Sequence, residues 1–200
     1  MKIIILGTRG EIEESAPWHT KHSGVLIDNL FLLDLGEEEY LNYKPSFVVF
    51  THFHPDHAFF MRSKNKLNQQ IEAYGPENPA EIDSVDVKTS PFTRDGYHFI
   101  PIPTIHSLKV KSQAYILEKD GKRLLYTGDL AWMEKKYQKD LGKLDMVITE
   151  GSFIQKGGMI RRDKGSGKIF GHTGVPDLIR IFSEHTDHIV LMHFGSWFMK

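Results

Sequence analysis

The chain has 200 residues, the length of one ordinary domain, and its 40% of hydrophobic residues can form a substantial core. Its formal net charge of -1 gives no global electrostatic reason to expect binding to nucleic acid or to a membrane. It has no cysteine, which excludes disulfides, thiolate nucleophiles and cysteine-based zinc sites, and which is typical of a reducing compartment. No apolar segment is long enough for a signal peptide or a membrane span. We therefore expect a cytoplasmic protein with a single domain over residues 1–200.

The first half of the chain alternates short apolar runs with turns. Runs rich in β-branched and aromatic residues predict strands at Ile3–Leu6, Gly24–Ile27, Phe31–Asp34, Phe47–Thr51 and Ile71–Tyr74. A polar loop from Gly7 to His22 separates the first two strands. Beyond His57, apolar residues recur at helical spacing over residues 58–67, which predicts a helix there.

The second half continues this pattern. It predicts strands at Val85–Val87, Tyr97–Pro103, Gln113–Leu117, Arg123–Thr127, Met146–Thr149 and Ile189–Met192. Asp120 and Gly121 predict a tight hairpin between the third and fourth of these strands. Helices are expected at Met133–Leu141 and Val175–Glu184. The glycine-rich stretch Gln155–Gly171 is expected to have little order.

The segment after the strand Phe47–Thr51 contains three histidines and one aspartate within six positions: His52, His54, Asp56 and His57. Imidazole and carboxylate groups bind divalent transition metals when no thiolate is present. Residues two apart on an extended segment point the same way, so His52 and His54 can bind one metal while the next two ligands turn toward a second. A histidine-rich surface turn is the alternative, but the buried strand before it argues against that interpretation.

Further potential ligands follow other apolar strands, and the ends of neighbouring strands meet at one edge of a sheet. We expect one metal on His52, His54 and His106, the other on Asp56, His57 and His193, and Asp129 between them. These ligands suit two zinc ions, with manganese or iron as alternatives. A metal pair lowers the pKa of a shared water, which gives a bridging hydroxide nucleophile that Asp56 can orient.

This pattern resembles the metallo-β-lactamase superfamily over nearly the whole chain. The resemblance is carried by His52-x-His54-x-Asp56-His57, the separate His106, Asp129 in a Thr-Gly-Asp sequence, and His193 after the last strand. It implies an α/β fold, an αββα sandwich of two mixed β-sheets flanked by helices, with the metal site along one edge. It is specific for the fold and the two-metal centre, and weak for the substrate.

Three further motifs resemble the ribonuclease Z and small phosphodiesterase branch of that superfamily. They are Leu6-Gly7-Thr8, Thr149-Glu150-Gly151-Ser152-Phe153 and Gly171-His172-Thr173. The resemblance implies that Glu150 orients His172, and that His172 acts as a general acid or stabilises the phosphate. With Asp56, these two complete the expected catalytic residues.

Two departures from that branch bear on the substrate. Ribonuclease Z enzymes carry a long arm that clasps tRNA, whereas only a tight hairpin lies between His106 and Asp129 here. Arg9 also stands where that branch usually has a small residue. The resemblance therefore implies a phosphodiesterase with a small phosphodiester or nucleotide-type substrate, with RNA less favoured and no membrane partner.

Other interpretations remain open at this point. The basic stretch from Lys156 to Lys168 is either a flap that collects phosphate or a solvated loop. The same centre could hydrolyse a carbon ester, thioester or lactone, because a fold does not fix a function. A nucleic-acid-binding protein with a vestigial site is a third alternative. His19 and His22 could line the substrate pocket, but we expect them at the surface.

Overall fold

The computed structural model describes residues 1–12, 19–62, 67, 71–82 and 84–199. One six-stranded sheet has the order β1 (Ile3–Gly7), β2 (Gly24–Ile27), β3 (Phe31–Leu33), β4 (Phe47–Val49), β5 (Glu72–Gly75) and β6 (Asp86–Val87). The first three strands pair antiparallel, and the pairs from β3 to β6 are parallel. The sheet is therefore mixed, as expected.

The other strands are β7 (Phe92–Arg94), β8 (Tyr97–Thr104), β9 (Ser112–Lys119), β10 (Lys122–Tyr126), β11 (Met146–Gly151), β12 (Met159–Arg162), β13 (Ile169–His172) and β14 (Ile189–Phe194). Strands β12 and β13 form a separate antiparallel hairpin. The other six form a second mixed sheet in the order β14-β11-β10-β9-β8-β7, in which β10, β11 and β14 run parallel. Both Asp120 and Gly121 have positive φ, as the predicted tight β9–β10 turn requires.

The two sheets pack face to face over an aromatic core. The rings of Phe31 and Phe47 in the first sheet stack with centroids 4.6 Å apart, and Phe99 of the second sheet meets Phe31 edge-on at 5.4 Å. Edge-to-face and offset pairs of this kind add specific geometry to the burial of apolar area. All three side chains are fully buried.

Short helices cover the outer faces of both sheets. The helices α1 (Lys135–Asp140) and α2 (Val175–Phe182) contribute to a core on the second sheet, while the 3₁₀ helices Glu38–Tyr43 and Phe59–Met61 cover the first. A last 3₁₀ helix, Ser196–Met199, follows β14. The expected αββα sandwich is confirmed. No helix of the described residues is long and apolar enough to cross a membrane.

The predicted strands are all present, and their ends differ from the predictions by at most two residues. The helix predicted over residues 58–67 is wrong for its first turn, which is the 3₁₀ helix Phe59–Met61, and residues 63–66 lie outside the described part of the chain. The reason is that the backbone here bonds across the fold, since Phe59 N donates to Leu35 O at 2.8 Å. The strand β7 was not predicted.

The expectation of low order over Gln155–Gly171 is also wrong, because β12 and β13 lie within or overlap it. Glycine enables this pairing. Gly171 has φ +116°, and a Cβ there would lie only 1.9 Å from the carbonyl oxygen of Met159 on the facing strand. Only a residue without a side chain permits so close an approach. The glycines of this stretch therefore allow the backbones of β12 and β13 to lie close together.

Candidate metal centre

The turn after β4 brings four of the predicted ligands to the edge of the sandwich. His57 N and Ala58 N both donate to the carbonyl oxygen of His54, at 3.0 and 2.9 Å, which folds the segment back on itself. As a result the ring of His52 lies 4.7 Å from the ring of His54 and 4.2 Å from that of His57. Both His52 and His57 are buried, whereas His54 is half-buried.

The second sheet supplies the other ligands from strand ends at the same edge. His106 follows β8, Asp129 follows β10, and His193 lies near the end of β14. Gly128 has φ +57°, and a Cβ there would lie 2.4 Å from Thr51 Oγ1, so the Thr-Gly-Asp sequence needs glycine to bring Asp129 against the histidine turn.

His193 reaches the site through a β-bulge. The pairing of β11 with β14 shifts register at this point, since Glu150 faces Met192 but Gly151 faces Phe194. The extra residue, His193, has a positive φ of 55°. A β-bulge changes the direction in which a side chain points. Here the imidazole of His193 lies at the bulge, among the ligands from the first sheet.

Three groups of potential ligands share Asp129. The first is His52, His54, His106 and Asp129, the second is Asp56, His57, Asp129 and His193, and a third joins Asp129 and His193 to Glu150 and His172. In the first group, Asp129 Oδ2 lies 3.4 Å from His106 Nε2 and 3.8 Å from His52 Nε2. In the second, Asp129 Oδ1 lies 3.1 Å from His57 Nε2 and 3.3 Å from His193 Nε2. Each carboxylate oxygen of Asp129 therefore faces a different group, as a bridging ligand does.

The spacing and chemistry of these atoms fit divalent metal ions. Two ligands held about 2.05 Å from a tetrahedral metal are roughly 3.3 Å apart, and the distances from Asp129 scatter around that value. His52 Nε2 is buried and has no hydrogen-bond partner among the described residues. A buried nitrogen without a partner is costly unless another group binds it. The cluster is thus suited to hold divalent metal ions.

Asp34, for which the sequence predicts only a place in a strand, supports the histidine turn. His57 Nδ1 donates to Asp34 Oδ2 at 2.7 Å, and the hydroxyl of Tyr126 donates to the same oxygen at 2.8 Å. Thr51 N donates to Asp34 Oδ1 at 2.7 Å. Thr51 Oγ1 also bonds Asp34 and lies 3.1 Å from His52 Nδ1, which can donate to it. These bonds leave the Nε2 atoms of both histidines for the metal.

The histidines of the second sheet are held in the same way. His106 Nδ1 donates to the carbonyl oxygen of Gly171 at 2.9 Å, which ties this ligand to the β12–β13 hairpin. His193 Nδ1 lies 2.8 Å from Ser152 Oγ. The Ser152 hydroxyl in turn donates a hydrogen bond to the carboxylate of Glu150. Sequence reasoning missed the supporting role of Ser152, because 41 residues separate it from His193.

The electrostatics of the site depend on burial and on its carboxylates. Burial lowers the pKa of His52, and it lowers that of His54 to about 4, so both imidazoles are neutral and able to bind metal at pH 7. For His57 the negative charges of Asp129 and Asp56 outweigh burial and raise the pKa. The surrounding histidines hold the pKa of Asp129 well below its usual value despite burial, so its carboxylate stays ionised.

Glu150 and His172, from the ends of β11 and β13, lie together beside this cluster. His172 Nδ1 lies 2.7 Å from Glu150 Oε2, and the His172 ring is 4.7 Å from that of His106. The backbone N–H of Leu130 donates to the other oxygen of Glu150 at 2.5 Å. Burial lowers the pKa of His172, but the charge and hydrogen bond of Glu150 outweigh it and raise the pKa to about 9. With Nδ1 engaged, the Nε2 edge is available to a substrate.

A cleft of about 680 Å³ opens onto the site and is lined by His54, Asp56, His106, Asp129, His172 and His193. The basic residues Lys156, Arg161, Arg162, Lys164 and Lys168 are exposed and are not among the residues that line it.

The expected surface position of His19 and His22 is wrong, since both are buried. His19 Nδ1 is bonded to Thr8 Oγ1 at 3.1 Å.

Comparisons with known proteins agree with this fold. A family model described as the beta-lactamase superfamily domain matches residues 37–194. Among solved structures, the metallo-beta-lactamase fold protein YhfI from Bacillus subtilis has a TM-score of 0.70 and 19% identity, covering 96% of this chain and 85% of that one. Human tRNase Z, short form, has a TM-score of 0.69 and 17% identity, with coverage of 98% and 94%.

A diphosphatase from the PhnP family has a TM-score of 0.68 and 14% identity, and the match covers 96% of this chain and 85% of that one. No curated protein matches the sequence. At these identities the solved structures establish the fold alone.

Proposed function

The chain belongs to the β-lactamase superfamily, and on that premise we propose that it is a phosphodiesterase acting with two divalent metal ions, most simply zinc. The coarser description, a hydrolase of the metallo-β-lactamase fold with a His/Asp cluster suited to divalent metals, follows from the fold and the cluster. The observation that carries the finer proposal is the Glu150–His172 pair, joined at 2.7 Å and lining the same cleft as the ligands.

In this proposal the seven ligands hold the two ions: His52, His54 and His106 on one side, Asp56, His57 and His193 on the other, and Asp129 between them. Two bound ions supply a nucleophilic water at neutral pH and neutralise the phosphoryl oxygens. Asp56 is buried, is bonded to His193 Nε2 at 2.6 Å and lines the cleft, so its carboxylate is held where it would orient that water.

The role of His172 is to donate a proton to the leaving oxygen. As water attacks phosphorus, the bond to that oxygen breaks, and an alkoxide leaves poorly unless it is protonated. Glu150 holds the imidazole in place, and is itself held by Leu130 N and Ser152. The similar structures include a diphosphatase and a tRNase, proteins named for reactions at phosphate groups, which supports this direction.

A substrate panel with two variants tests the proposal. The zinc-loaded protein should hydrolyse bis-p-nitrophenyl phosphate in preference to a lactone and a glutathione thioester. His172→Ala should retain its metals and lose about 100-fold or more on a phosphodiester with an alkoxide leaving group, the usual range for a general acid. It should lose much less with p-nitrophenolate, which leaves without a proton. His98→Ala, a histidine on β8 bonded to Thr93, is the matched control.

Two outcomes would count against the proposal. Turnover of the lactone or the thioester with no phosphodiester hydrolysis would favour a carbon-ester hydrolase on the same centre. Full activity of His172→Ala on the alkoxide ester would remove the assigned role of His172. The single-domain organisation and the cytoplasmic location stay predictions from sequence.

A further inference from the structure

The cleft has an apolar wall beside the candidate metal centre. Ile12, Phe153, Met159 and Trp197 line the cleft together with the ligands, and each is half-buried, so part of each side chain faces the open volume. The ring of Phe153 lies 5.8 Å from that of His172. A substrate whose leaving oxygen reaches His172 would therefore place its neighbouring atoms against aromatic surface.

Trp197 is fixed in this wall. Its indole Nε1 donates to the carbonyl oxygen of Gly151 at 2.7 Å, which satisfies its only polar group. The ring of Phe194 packs against it edge-on, at 5.7 Å and an interplanar angle of 86°. A ring held on both its polar and its apolar side loses little freedom when a ligand stacks on it. Trp197 is thus a preorganised surface for a flat group.

Away from the candidate metal centre, the described residues give the cleft little positive charge. No lysine or arginine is among the described residues that line it, whereas Glu11 is. Successive phosphates of a nucleic acid need cationic partners along the groove. Here only the phosphate at the metals would have one.

We infer that this cleft selects phosphodiesters that carry one flat substituent with a face that can stack, such as a nucleobase or an aryl group, and that Trp197 and Phe153 determine this specificity. The inference rests on the proposed function, because it names the substrate class of the same site. A polynucleotide is a poor fit, since the described lining of the cleft offers its further phosphates Glu11 and no lysine or arginine.

A matched pair of substrates tests the role of the wall. The methyl ester of thymidine 5′-phosphate and the same ester of the abasic tetrahydrofuran analogue share the methyl phosphate group and the 5′-oxygen that leaves beside His172, and differ only in the base. The zinc-loaded protein should prefer the thymidine ester by about tenfold in kcat/KM, since base–aromatic stacking corresponds to about 5- to 150-fold in other nucleic-acid-binding sites.

Trp197→Leu and, as a second variant, Phe153→Leu should each reduce this preference toward unity, by lowering kcat/KM for the thymidine ester more than for the abasic ester. Tyr43→Leu, which changes an aromatic residue 52% exposed outside the cleft, is the matched control and should keep the full preference. A short oligothymidylate should be cleaved less efficiently than the thymidine ester.

The possible failures are distinguishable. If both esters are hydrolysed with equal efficiency, or if both variants keep the preference, the role of the wall is wrong while the proposed function stands. If a variant loses activity equally on both esters, the ring is structural and the inference is overturned for that residue. If neither ester is hydrolysed although a lactone or thioester is, the proposed function fails and this inference fails with it.

Discussion

Replacing Asp34 with asparagine tests how strongly the ligands depend on the residues behind them. Asparagine has nearly the same volume and tolerates the positive φ of 58° at this position. Its remaining oxygen can still accept from Thr51 N. Its amide group, however, takes the place of Oδ2, which accepts hydrogen bonds from His57 Nδ1 at 2.7 Å and from the Tyr126 hydroxyl at 2.8 Å.

An amide nitrogen cannot accept a hydrogen bond from either of these donors, because it has no available lone pair. The Tyr126 hydroxyl can rotate and accept instead, but His57 can accept only by moving its proton to Nε2, the atom that faces Asp129. Protonated Nε2 does not bind metal, so we expect zinc affinity to fall by about 10- to 100-fold, as is usual for the loss of such a supporting carboxylate. Stability of the metal-free protein should fall by about 1–3 kcal/mol, the cost of one unsatisfied buried donor.

Competition with a chromogenic chelator measures the zinc affinity, and urea unfolding of the metal-free protein measures the stability. Tyr126→Phe is the matched control, because it removes the other donor to Oδ2 and leaves the His57 bond intact. It should cost about 1 kcal/mol and change zinc affinity little. Wild-type zinc affinity in Asp34→Asn would refute the reasoning that Asp34 selects the metal-binding tautomer of His57.

Three further predictions concern the whole centre. Asp129→Ala should abolish both zinc binding and turnover, because its two oxygens face both ligand groups; retention of two tightly bound ions per chain would contradict the bridging role. Adding zinc to chelator-treated protein at 1,000 times its Kd should stabilise it by about 4 kcal/mol, or roughly 8–16 °C in Tm for a chain of this size, as differential scanning calorimetry can measure; an unchanged Tm would indicate that no specific site forms. The double variant Arg161→Glu, Arg162→Glu should keep kcat/KM for a small phosphodiester within about twofold, because both side chains are exposed and do not line the cleft; a tenfold loss would instead support a phosphate-collecting flap.

The features that were predictable from sequence are those encoded locally. His52, His106 and Asp129 each come two or three residues after the end of an apolar strand, and the parallel ends of strands bring such residues to one edge. A similar pattern was present at Asp34, after the apolar residues Phe31–Leu33, and could have indicated its role.

The remaining features depend on contacts between distant parts of the chain. Ser152 becomes a support for His193 only when β11 and β14 pair with a bulge, and no local pattern indicates that register. The burial of His22 likewise depends on Glu37, whose carboxylate lies 2.5 Å from its Nδ1 across the N-terminal loop. The order of the β12–β13 hairpin was obscured by its glycines, which in isolation are typical of loops.

The central claim is that two metal ions and His172 act together on one phosphodiester. It is tested most directly by anomalous X-ray diffraction from crystals grown with zinc and inorganic phosphate. We predict two zinc peaks per chain, one in each ligand group, with Asp129 between them and a phosphate oxygen within hydrogen-bond distance of His172 Nε2. A single zinc peak, or a phosphate bound away from His172, would contradict the account.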